Sequence, residues 1–159
     1  MTILAIDPGS SMSAYCVMDD AAVPVNFAKV PNADLIPIIG GTAADTVVIE
    51  RVASYGMPVG REVFDTCEWI GRYTQVAKDL AIDVEYILRQ EEKLHICKSP
   101  KANDATIRKA LIDRFATHDF VSGKGTKKDP DFFFGFKADV WSAFCVGCVF
   151  LCKQNKLTM

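Results

Sequence analysis

Two short apolar runs that each end on a single acid constrain this chain more than any other feature. Thr2–Ile6 closes on Asp7, and Thr46–Ile49 closes on Glu50. Both runs are short, apolar and rich in β-branched residues, as buried strands are. A lone charge at the end of such a strand is unfavourable unless something answers it. A third acid, Asp139, stands in the first turn of the apolar helical run Ala138–Lys153, where the partial positive charge of a helix start favours it. Oxygen donors from rigid elements converging on one point are what a hard divalent cation needs. Each acid also has an ordinary explanation, since Asp139 could cap its helix and Asp7 could hold the turn Pro8–Ser10.

The rest of the chain supplies the frame. After the Pro8-Gly9-Ser10-Ser11 turn, Ser13–Met18 reads as the return strand of a hairpin with Asp7 at its mouth. Val23–Val30 reads as a third strand, and Asn32–Gly41, interrupted by Pro37, as a short helix or loop. Gly60–Ala81 carries apolar residues at helical spacing and is the longest helix. Asp83–Leu88 returns to strand character, Lys93–Cys97 is a strand end or connector, and Asn103–Phe115 is a helix with Asn103 or Asp104 as its N-cap. Gly123–Gly135, lysine-rich and aromatic without a period, reads as a mobile loop before the final helix. A hairpin feeding strands separated by helices predicts an α/β domain over 1–159, with a mixed sheet flanked by helices. A chain of 159 residues that is 50% apolar can bury such a core unaided.

A net charge of −2 excludes a protein that coats nucleic acid through bulk charge, so contact with a phosphate backbone would have to come from a local basic patch. No export signal precedes Thr2, and no apolar run has the length of about 20 residues that a bilayer requires. The expectation is a cytoplasmic protein with no membrane partner. The six cysteines then read as reduced thiols. Cys145 and Cys148 form a CxxC, but they lie on a core-facing helical run and lack the second ligand pair that a structural zinc site needs.

Three segments in order, ILAIDPGSS, VVIERVASYGMPVG and KADVWSAFCVG, resemble the RuvC family of Holliday junction resolvases within the ribonuclease H-like superfamily. The segments VFDTCEWIGR, SPKANDATIRKAL and GKGTKK resemble its short phage-borne branch, which would place the protein in the host cytoplasm. The resemblance implies a ribonuclease H-like mixed five-stranded sheet flanked by helices. It also implies a metal-dependent crossover junction endodeoxyribonuclease, acting as a homodimer, that nicks paired strands of four-way and other branched DNA. Two Mg²⁺ per active site are implied, with Mn²⁺ able to substitute. Asp7 would bridge both ions, with Glu50 and Asp139 on either side. Cellular members carry a second carboxylate three residues after the position of Asp139, where this chain has Ser142. A hydroxyl is a far poorer ligand, so a water, or Asp129 or Asp131 from the loop, is expected in its place, and the water is preferred.

Acids repel the backbone they cut, so cations should surround them. Lys93 and Lys128 are expected to hold the scissile phosphate or stabilise charge in the transition state. Lys98, Lys101, Arg108, Lys124, Lys127 and Lys137 are expected on the DNA backbone, although about half of these lysines could be ordinary solvated side chains. Tyr55 and Met57, in the glycine-bearing loop after Glu50, either wedge against bases at the crossover or pack that loop. Of Phe132, Phe133 and Phe134, at least one should be exposed, whereas Trp141 should sit in the core or behind the site. Phe64 and Trp69 mark a candidate dimer face. A flap or RNA–DNA hybrid nuclease of the same superfamily, or a non-catalytic protein that binds branched DNA, remains an alternative. An actin-like kinase does not fit, because its further glycine-rich phosphate loops and greater length are missing.

Overall fold

The computed structural model describes residues 1–159. The first apolar run is β1 (Thr2–Asp7), which pairs antiparallel with β2 (Met12–Asp19) as the hairpin signal predicts. β3 (Pro24–Pro31) extends the antiparallel edge from β2, whereas β4 (Thr46–Arg51) and β5 (Asp83–Leu88) add in parallel on the other side. The resulting mixed sheet has the order β3-β2-β1-β4-β5, with β1 at its centre. Five helices cover it: α1 (Asn32–Gly41), α2 (Arg61–Asp79), α3 (Arg89–Cys97), α4 (Asp104–Phe115) and α5 (Val140–Lys153). None is long and apolar enough to cross a membrane.

The two-residue period of a strand decides which side chains meet which helices. Leu4, Ile6, Val17, Val47 and Ile49 pack with Leu35 and Ile39 of α1 and with Ile70, Tyr73 and Ala77 of α2. Ile3, Ala5, Cys16, Met18, Val48 and Ile87 face the opposite way, into the larger cluster built on α5. Continuing the alternation by one step turns Asp7 and Glu50 toward the α5 side. The helix α5 is buried on nearly every face, and Gly147 lets it lie close on the sheet. A Cβ at that position would stand 2.6 Å from the Met18 sulfur and 3.3 Å from Ala5 Cβ.

The turn that carries the chain past Asp7 is held from the α2 side. Asn32 donates from Nδ2 to the Gly9 carbonyl at 2.9 Å, and the Gly9 N–H donates to Ser13 Oγ at 3.2 Å. Ser13 Oγ in turn donates to Asn32 Oδ1 at 2.6 Å and lies 3.0 Å from the Tyr73 hydroxyl. Gly9 itself admits no side chain, because a Cβ there would overlap the Met12 carbonyl oxygen.

Two local expectations are corrected. Lys93–Cys97 is no strand end or connector, because it belongs to α3, which starts directly from β5. Glu91 reaches back to accept the Leu88 N–H at 2.7 Å, a capping contact that starts the helix, while Glu92 and Ile96 form its buried face. The segment Gly123–Gly135 is pinned rather than free. Asp131 is buried and accepts hydrogen bonds from the N–H groups of Thr117, His118, Asp119 and Phe132 and from the Thr117 hydroxyl. Asp119 gathers the N–H groups of Val121, Ser122 and Gly125. Phe133 is fully buried and Phe132 stacks on Phe115, which leaves Phe134 as the exposed member of the triplet. Trp141 lies in the core, with its ring 4.5 Å from that of Phe133.

Candidate active site

Strand register brings the acids together. Ile6 pairs with Ile49 across the parallel β1–β4 ladder, so the next residues, Asp7 and Glu50, emerge side by side at the carboxyl ends of two central strands. On the antiparallel side Asp7 pairs with Ala14, and Ala14 with Lys29 of β3. On the other side Glu50 pairs with Ile87 of β5. A single row across the sheet therefore reads Lys29, Ala14, Asp7, Glu50, Ile87.

The Asp7 and Glu50 carboxyl groups stand close enough to act on one another. Burial, then the charge and hydrogen bond of Glu50, then the charges of Asp139 and Glu92 push the Asp7 carboxyl up to about 9. Carboxyls so close resist ionising together unless a cation or a shared proton answers them. Asp139 immediately precedes α5 and makes no capping hydrogen bond. It pairs instead with the Lys29 ammonium from β3. The turn at Pro8–Ser10 is held by Asn32 and Ser13 and not by Asp7. Cap and turn, the ordinary explanations of these acids, are thus not what the side chains do.

Two further residues belong here that the sequence did not mark. Lys29 is one, since nothing local relates position 29 to position 139. Glu92 is the other. Its charged neighbours in RQEEK read as a solvated helix face, and the only trace of burial is its i,i+4 spacing from Ile96. Its side chain is fully buried. One oxygen, Oε2, accepts from the Arg89 guanidinium, which also binds Asp104. Oε1 has no hydrogen-bond partner. Burial, then the charge of Glu50, push the Glu92 carboxyl up to about 8 despite Arg89.

The residues fit hard divalent cations in chemistry, since the donors are carboxylate oxygens with one of them orphaned in the interior. As the side chains stand, however, no three His, Cys, Asp or Glu groups enclose an ion position. Ser142 follows Asp139 by three residues, and both line a cavity of about 130 Å³ with Arg89, Asp104, Arg108 and Cys145. Asp131 cannot replace a missing ligand, because both its oxygens are occupied by backbone donors. Asp129 is exposed and faces His118 at 3.4 Å. Cys145 and Cys148 are buried free thiols.

The expected cations are spread over several elements. Lys93 is half-buried on α3 next to Glu92, without an ion pair, and Lys128 is exposed in the turn Thr126–Asp129. Arg108 covers the Trp141 ring at 5.1 Å beside the cavity. Lys98 terminates α3 in the left-handed conformation and donates to the His95 carbonyl. Lys101, Lys127 and Lys137 are exposed and Lys124 is half-buried. Tyr55 and Met57 project from the β4–α2 loop, 63% and 72% exposed, so packing does not account for them.

No protein-family model and no curated protein sequence matches this chain. Solved structures do. RuvC of Thermus thermophilus superposes with a TM-score of 0.69 over 98% of both chains, at 12% identity. The fold is that of RuvC. RuvC from the same organism in complex with a Holliday junction substrate gives 0.69 at 11% identity, over 98% of this chain and 97% of that one. The resolvase of Fowlpox virus, also solved with substrate Holliday junction DNA, gives 0.54 at 13% identity, over 97% and 99%. The expected ribonuclease H-like mixed five-stranded sheet flanked by helices is therefore correct, and the superposition takes in 98% of this chain.

Proposed function

We propose that this chain is a metal-dependent endonuclease that resolves four-way DNA junctions by nicking paired strands, working as a two-fold homodimer. The observation that carries the reading is the Asp7–Glu50 pair at the carboxyl ends of adjacent strands, with Asp139 close enough to raise Asp7 further. The solved RuvC and Fowlpox complexes, both with Holliday junctions, supply the substrate class.

In this reading Asp7, Glu50 and Asp139 hold a pair of Mg²⁺ ions, with Mn²⁺ able to substitute and the Ser142 hydroxyl at the margin. The bound metal supplies an activated water and neutralises charge on the leaving oxygen. Asp7, central in the row, would be the ligand shared between the two ions. Lys29 compensates the charge of Asp139 across the sheet. Lys93 on α3 and Lys128 in the loop neutralise the scissile phosphate. Tyr55 and Met57 meet unstacked bases at the crossover, while Lys98, Lys101, Arg108, Lys124, Lys127 and Lys137 track the backbone. A two-fold junction with two strands to cut is matched by a two-fold dimer, and exposed Phe64 on α2 offers an apolar contact for it.

The test is nicking of a four-way junction, a flap and an RNA–DNA hybrid with Mg²⁺, using the wild type and Asp7→Asn. Paired nicks in the junction, lost in Asp7→Asn with junction binding retained, are expected. Cleavage by Asp7→Asn in Mg²⁺, or preference for the hybrid, would overturn the proposal.

A further inference from the structure

The resemblance to RuvC leaves the site one carboxylate short at Ser142. We propose that Glu92 supplies it, from α3 rather than α5, as the fourth carboxylate donor to divalent metal. This rests on the metal-dependent reading above.

The Glu92 carboxylate is fully buried, yet only one of its two oxygens is satisfied. Buried carboxylates ordinarily fill both oxygens, because an unmet acceptor keeps its desolvation cost. A structural ion pair with Arg89 accounts for Oε2 alone. That pairing is itself incomplete, since the same guanidinium also serves Asp104. The charges that bear on Glu92 besides Arg89 come from another acid, Glu50, and Glu92 in turn bears on Asp7. A core that needed only a counterion for Arg89 would not set that acid against two more. Oxygen donors that repel one another in this way gain a common purpose when a cation stands among them.

Placement agrees with the missing ligand. The parallel β4–β5 register sets Glu50 beside Ile87, and α3, which starts two residues later, packs against α4 and α5. From there Glu92 approaches α5 at the Cys145 thiol, one turn beyond Ser142 and two beyond Asp139. Arg89, anchored to Asp104 at the start of α4, fixes the carboxylate orientation with Oε1 left free. Ligands oriented in this way by an outer partner hold metal better than free ones do.

Mn²⁺ titration of the metal-free protein, followed by electron paramagnetic resonance and calorimetry, tests the assignment without reference to cleavage. The wild type is expected to bind two ions. Glu92→Gln should lose one of them, or weaken it roughly tenfold or more, whereas Asp7→Asn should lose both. Adding Ser142→Asp to Glu92→Gln should restore the second ion. Glu92→Asp, which keeps the charge but shortens the arm, serves if Glu92→Gln does not fold, and should also weaken the second ion. Unchanged Mn²⁺ stoichiometry and affinity in a folded Glu92 variant, with binding lost in Asp7→Asn, overturns the Glu92 assignment and leaves the metal-dependent reading standing. A wild type that binds no Mn²⁺ overturns both.

Discussion

At the scale of single residues, the acids of the candidate site oppose one another. Asp7 is buried among Glu50, Asp139 and Glu92, and its carboxyl is held up at about 9. The unfolded value lies near 4. For a group raised on folding, the contribution to stability is fully present below the unfolded value and is lost as pH rises through the folded one. Asp7 therefore penalises the metal-free fold progressively between about pH 4 and 9. Asp7→Asn removes the titration and should raise the stability of the metal-free protein by on the order of 2 kcal/mol near pH 8. The gain over wild type should shrink as the pH approaches 5. Thermal unfolding of both proteins in chelator at several pH values checks this, and a constant or inverted difference would refute it. Saturating Mg²⁺ should stabilise the wild type and not the variant, by mass action on the folded state.

Among the elements, the β1–β2 turn matters most, because it aims Asp7. Gly9 is required there for space, since the Met12 carbonyl occupies the place of a side chain. Gly9→Ala forces the backbone to move and should cost about 2–4 kcal/mol, with cleavage falling further than global stability predicts because Asp7 is two residues away. The turn is also fastened from α2 by Tyr73, whose buried hydroxyl meets Ser13 at 3.0 Å and the Asn32 carbonyl at 3.4 Å. Tyr73→Phe should lose about 1 kcal/mol, measurable as a shifted urea midpoint with an unchanged slope. An effect within error would mean that water replaces the hydroxyl and that the turn does not depend on α2.

For the whole molecule, a net charge of −2 coexists with cations gathered in particular segments. Junction binding should therefore depend strongly on salt while the protein as a whole stays weakly acidic. Lys127 and Lys128 are exposed in a turn tied back by Asp119 and Asp131, so their contribution is separable from that of Asp7, Glu50 and Asp139. Replacing both by Gln should reduce the slope of log K against log salt by about two and weaken binding similarly for all junction sequences. An unchanged slope would remove this turn from the DNA path.

The strands, the long helices and the three acids could be read from the sequence because each depends on a local rule. Short continuous apolar runs rich in β-branched residues make Thr2–Asp7 and Thr46–Glu50 strands wherever they pair, and an acid at their ends is visible without a structure. Asn103 was legible as an N-cap for the same reason, and it accepts the Thr106 N–H at 3.0 Å. Helix α3 was not legible, because a short charged segment carries little period, and its start depends on Glu91 folding back to Leu88. Lys29 and Glu92 were beyond reach for a different reason. Their positions come from cross-strand register and from the packing of α3 against α5, which join residues far apart in the chain. The loop Gly123–Gly135 was misread as mobile because its order comes from Asp119 and Asp131 gathering backbone N–H groups. Sequence alone determined that acids close these elements. Only the tertiary packing decided that Asp139 is held by Lys29 and that a fourth acid, Glu92, is buried beside Glu50 with one oxygen unmet, because burial and register are properties of the assembled sheet.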